Sequence, residues 1–207
     1  LRTHGFDSDG RMFFHLTREG RPVRKRRYFF SETFMIAALA AYAQATGDQQ
    51  AHDEAVTLYK RITGYVTTPG LLPPKFNTDV RPMKGLAVPM ILIITGQILR
   101  EATSDPICNE WIDRCIDEIE HDFMKPEFQA VLETVGPNGE FIDHFDGRTM
   151  NPGHAIEAAW FILDEAKHRG KDARLLRIGL TILDWMWEIG WDQEYGGLLY
   201  FRDVKGL

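Results

Sequence analysis

Three pairs of apolar-periodic stretches, each pair joined by a short turn containing an aspartate, constrain this chain more than any other feature. Residues 30 to 45 place Phe30, Phe34, Ala37, Ala38, Ala41 and Tyr42 at i, i+4, i+7 and i+8 spacings, which predicts an amphipathic helix. Thr46-Gly47-Asp48 then turns into a second helix over about 49 to 63. A helix near 84 to 102 is followed by Thr103-Ser104-Asp105-Pro106 and a helix to about 123. A helix over 152 to 168 is followed by Arg169-Gly170-Lys171-Asp172 and a helix to about 189. Each pair reads as a helical hairpin, and repeated hairpins bury a continuous core by stacking. The expected class is all-α, as a single domain over 1–207, with no linker or low-complexity segment.

The long connections have a different character. Gly10-Arg11-Met12-Phe13-Phe14, Asn138-Gly139-Glu140-Phe141-Ile142 and Tyr195-Gly196-Gly197-Leu198-Leu199-Tyr200-Phe201 each predict a turn followed by a short strand. One end of every hairpin is therefore tight, and the other carries elaborated loops with short β-hairpins. Loops on one face of a rigid scaffold are where sites are usually built.

The segment Gly147-Arg148-Thr149-Met150-Asn151-Pro152-Gly153-His154-Ala155-Ile156-Glu157-Ala158-Ala159-Trp160-Phe161 reads as a loop turning into a helix. Asn151 suits the N-cap and Pro152 the first helical position. His154 then falls in the first turn, with Glu157 at i+3 on the same face. The helix macrodipole disfavours a cationic imidazole there, and a nearby carboxylate favours it and can orient the ring. That balance suits a histidine that gains and loses a proton near neutral pH. The same residues also fit a capped helix in which His154 and Glu157 simply pair with each other.

Composition removes several functional classes. The formal net charge of −6 gives no electrostatic case for nucleic acid or an anionic membrane. The basic run Arg21 to Arg27, five of seven residues, reads as a solvated loop before a helix, or one arginine of it faces a ligand. No apolar run reaches the roughly 18 residues of a membrane span, and no signal peptide is legible. Cys108 and Cys115, seven residues apart on one helix, stand about 10 Å apart along its axis, too far for a disulfide. Reduced core thiols fit a cytoplasmic protein.

Among the seven histidines there is neither an HExxH nor a Cys/His metal spacing, so no metal and no cofactor is expected. His144 lines the same cleft as His154 or serves a turn. Trp185 and Trp187 read as core. Trp191, in a loop, offers an apolar ring face on which a ligand can stack. Arg27, Tyr28 and Glu32 stand at the start of the first helix, where an arginine can hold a ligand hydroxyl or a developing oxyanion. Asn151 joins them as a candidate substrate-binding residue.

Arg27-Tyr28-Phe29-Phe30-Ser31-Glu32, Arg81-Pro82-Met83-Lys84 with Val88-Pro89-Met90-Ile91-Leu92, the Asn151 to Phe161 run, and Gly190-Trp191-Asp192-Gln193-Glu194-Tyr195-Gly196-Gly197-Leu198 occur in an order and spacing that resemble the N-acylglucosamine 2-epimerase (renin-binding protein) family. The resemblance runs from about residue 2 to the last residue and is most specific around His154. It implies an (α/α)6 barrel of six hairpins, of which this chain supplies three as an internal portion of a longer chain. It implies a sugar 2-epimerase interconverting N-acetylglucosamine and N-acetylmannosamine, in which the ring opens and one group removes the C2 proton while another returns one on the opposite face. His154 matches one of the family's two catalytic histidines and Glu157 its companion carboxylate. The second histidine is expected beyond Leu207, and the family's N-terminal arginine motif is absent. A small-molecule sugar is the expected partner, and a homodimer stays open as the assembly. The alternatives are another sugar epimerase or aldose–ketose isomerase of the same fold (cellobiose 2-epimerase-like), an (α/α)6 glycoside hydrolase using two of Asp143, Asp146 and Glu157, or a helical-repeat binding module without turnover.

Overall fold

The computed structural model describes residues 2–206, which fall into two compact units. Of these, the first comprises residues 2–77 with Thr95–Asn109, and the second Thr78–Ile94 with residues 110–206.

The first unit begins with β1 (Phe13–Leu16) paired antiparallel to β2 (Pro22–Lys25), and continues into the hairpin of α1 (Phe30–Thr46) and α2 (Gln49–Thr67). Local chemistry sets the turn between the helices. Gly47 takes the left-handed conformation (φ 73°) that ends α1, and the Asp48 side chain accepts from the Ala51 N–H to cap α2. Met35, Ile36, Leu39, Ala40 and Ala43 of α1 and Ala51, Ala55, Leu58, Tyr59 and Ile62 of α2 form the core. The predicted stripe of α1 is the wrong face: Phe34 is 70% exposed and Tyr42 52%. The helix is apolar on nearly every side, so periodicity alone does not choose the inward face. The basic run is likewise a strand over most of its length, with Lys25 held by Asp7 (2.8 Å) and Asp9 (2.5 Å).

The long helix α3 (Ala87–Thr103) divides between the units at Ile94, and α4 (Ile107–Glu118) divides at Asn109. A single π-turn, Ile119–Phe123, extends α4 to the predicted end.

The second unit carries the loop apparatus. β3 (Lys84–Gly85) pairs antiparallel with β6 (Thr134–Val135), and β4 (Met124–Lys125) with β5 (Ala130–Val131). After a four-residue helix α5 (Phe145–Arg148), β7 (Thr149–Met150) pairs antiparallel with β8 (Arg202–Asp203). The hairpin of α6 (Pro152–His168) and α7 (Ala173–Gly190) closes the unit. Its core sets Ala155, Ala158, Ala159, Ile162 and Ala166 against Leu175, Ile178, Ile182 and Met186. Gly179 admits this close packing, because a Cβ there would stand 2.6 Å from Leu163 Cγ. Asp172 caps α7 through the Leu175 N–H.

Two strand expectations shift. Phe141-Ile142 is irregular, since Gly136 and Glu140 pair across the turn and the chain then bends into α5. In the last loop only Leu198 bridges, to Trp191, and the strand lies at Arg202–Asp203. Trp187 is half exposed rather than core and stacks on Trp191 at 5.2 Å and 14°. Cys108 and Cys115 are buried, free thiols on α4.

Candidate active site

His154 stands on the first turn of α6, where its position follows from the local sequence. Asn151 is extended (φ −116°, ψ 96°) and its side-chain oxygen accepts from the His154 N–H at 3.1 Å, while Pro152 occupies the first turn. The loop before it is tightly seated: a Cβ on Gly147 would strike the Ile142 carbonyl oxygen. Asn151 is buried at 3% exposure, and its side-chain oxygen is committed to capping the helix. Replacing it with alanine is expected to cost about 1 kcal/mol of stability, read as a shift in urea midpoint at constant slope.

The ring of His154 meets a carboxylate, but not the expected one. Its Nδ1 lies 3.1 Å from both oxygens of Glu133, and its side chain is 41% exposed against 20% for Glu133. Glu157 is exposed one turn on and acts on the ring only through a weaker Coulombic attraction. The pairing of His154 with Glu157 is therefore corrected: the short segment between β5 and β6 supplies the hydrogen-bonded partner, 21 residues before the histidine. The hydrogen bond that His154 Nδ1 makes to the Glu133 carboxylate raises the His154 pKa above its ordinary value; partial burial opposes this, and Coulombic attraction to Glu133 and Glu157 adds to it. Nε2 makes no hydrogen bond among the described residues.

His144 serves the turn. Its Nδ1 accepts from the Asp146 N–H and caps α5, and its ring borders a cavity of about 460 Å³ with Arg81, Met83 and Glu140. Trp191 is part-buried beside a second cavity of about 570 Å³, bordered also by Trp185, Glu188 and Arg202.

In the first unit, Arg27 is exposed and Tyr28 part-buried just before α1. Glu32 faces inward at 0% exposure. Its Oε1 accepts from Arg11 Nε at 2.6 Å and from the Met12 N–H at 2.9 Å. Arg11 in turn donates to the carbonyls of Arg26 and Tyr28. Glu32 is thus a buried strut of this segment and is not presented to a substrate. Among the described residues no group of three or more His, Cys, Asp or Glu side chains could hold a metal ion.

The sequence profile of the N-acylglucosamine 2-epimerase family matches residues 1–207. The chain belongs to that family. It is 38% identical over 199 residues to the N-acylglucosamine 2-epimerase of Bos taurus, covering 94% of this chain and 46% of the relative. It is 34% identical over 201 residues to that of Homo sapiens, covering 94% and 46%. The chain spans about half the length of the relatives it matches. Among solved structures, cellobiose 2-epimerase from Bacillus thermoamylovorans aligns with a TM-score of 0.80 at 20% identity, over 98% of this chain and 55% of that one. A D-mannose isomerase aligns with a TM-score of 0.77 at 20% identity, over 100% and 56%. These likenesses show the fold, the helical hairpins of an (α/α)6 barrel.

Proposed function

We propose that the protein bearing this chain interconverts N-acetylglucosamine and N-acetylmannosamine, with His154 as one of its two acid/base groups. The observation that carries this reading is the His154–Glu133 pair at the start of α6, which leaves Nε2 of the ring free. The Asn-Pro-Gly before His154 and the names of the relatives favour the N-acyl sugar over a disaccharide. In the open-chain sugar the C2–H bond breaks toward Nε2, and its electron pair moves into the adjacent carbonyl to give an enediolate-type anion. Return of a proton from the opposite face inverts C2, which requires a second acid/base group. The cytoplasm is the proposed compartment, in keeping with two buried cysteines that remain free thiols.

The hydrolase reading needs a carboxylic acid that stays protonated near neutrality. Asp143 is a poor one, because its hydrogen bond from Lys205 holds it below the ordinary carboxylate value.

The deciding experiment is incubation of the purified protein with N-acetylmannosamine in heavy water. Deuterium is expected at C2 of both recovered epimers. Unlabelled sugar with no epimer formed would remove the epimerase reading, and a ketose product would replace it with an aldose–ketose isomerase.

A further inference from the structure

Glu133 lies in the run Ala130-Val131-Leu132-Glu133-Thr134-Val135, where it is the one charged residue among buried neighbours. Its main chain is fixed on both sides. The Glu133 N–H donates to the Thr149 carbonyl at 2.9 Å, and its carbonyl accepts from the Leu86 N–H at 3.0 Å. Leu132 before it donates to the Phe123 carbonyl, and Thr134 after it pairs with Gly85. Such bracing fixes where the carboxylate begins, and the His154 ring is where it ends.

We propose that Glu133 is the positioning residue of the acid/base histidine, holding His154 in the tautomer that carries its proton on Nδ1 and leaves Nε2 as the base. This rests on the epimerase reading for its catalytic meaning but not for its chemistry. An ionised carboxylate only accepts hydrogen bonds, so Nδ1 facing both of its oxygens must be the donor. The neutral ring then has its lone pair on Nε2, on the side away from Glu133. When Nε2 takes a proton, the positive charge forms beside a carboxylate already in place, with no reorganisation to make. Among the described residues, the charged side chains that act on the ring are Glu133 and, more weakly, Glu157 of its own helix, and Glu133 alone is hydrogen-bonded to it.

The test uses the purified protein labelled with 15N in its histidine rings, comparing wild type with Glu133→Gln, Glu133→Asp and Glu157→Gln. In wild type the neutral His154 ring is expected to show the Nδ1–H tautomer and to titrate above free histidine. Glu133→Gln, nearly isosteric but uncharged, is expected to lower that titration and mix the tautomers. Glu133→Asp should fall between, and Glu157→Gln should shift it less than Glu133→Gln. With N-acetylmannosamine, the acid limb of the pH–rate profile should move down in Glu133→Gln, with kcat lower by roughly 10²-fold and little change in KM. Unchanged tautomer and titration in folded Glu133→Gln would overturn the assignment, as would a larger shift in Glu157→Gln. A shifted titration supports it whatever sugar is turned over, so failure of the epimerase reading appears separately, as absence of exchange in wild type.

Discussion

His154→Gln is expected to lower C2 proton exchange by about 10²- to 10⁴-fold, the worth of a positioned general base, with the folded state retained. Retention follows from the geometry. Asn151 bonds the main-chain N–H at position 154, which the substitution keeps, and glutamine at the third helical position is a favoured partner of an N-cap. Deuterium wash-in at C2 measures the loss, and circular dichroism confirms the helices. Residual exchange within a few-fold of wild type would mean that another group takes the proton. In wild type the base form is the neutral ring, and Glu133 raises its pKa. Activity should therefore rise with pH through that raised value. Stability runs the other way: a raised folded-state pKa contributes fully below the unfolded value of about 6.5 and is lost as pH climbs through the folded one.

The second large effect concerns Arg11 and Glu32. Arg11→Met strands a carboxylate at 0% exposure without its 2.6 Å partner, and also frees the carbonyls of Arg26 and Tyr28. Breaking a buried pair from one side costs about 3–5 kcal/mol, most of it the uncompensated charge. The double variant Arg11→Met, Glu32→Leu removes both charges and should recover much of the loss. Urea denaturation of the two variants distinguishes these terms. A single variant within about 1 kcal/mol of wild type would show that water reaches Glu32, since exposed pairs are worth no more than that.

What was legible in the sequence was what local chemistry decides. Asp48, Asn151 and Asp172 cap their own helices, so the hairpins and their tight turns were readable within a few residues. The inward face of α1 was not, because a helix apolar on most sides has no preferred stripe. Glu32 misled for a related reason: an acidic residue in a first turn looks the same whether it faces solvent or an arginine 21 residues upstream. His154 was found by its motif, and its partner was missed because Glu133 is 21 residues away, across β6, α5 and β7. One signal did exist: a lone carboxylate inside the apolar run 130–135 is rarely buried without a partner.

The tethering of Glu133 to Leu86 and Thr149 makes the proton affinity of His154 a gauge of two segments far apart in sequence. If warming frays either one, the carboxylate drifts from the ring while α6 and α7, packed through their own core, remain helical. The base then weakens before the scaffold melts. Inactivation should begin at a lower temperature than loss of helix, and the gap between the two measures how loosely the short strands are held on a rigid helical frame.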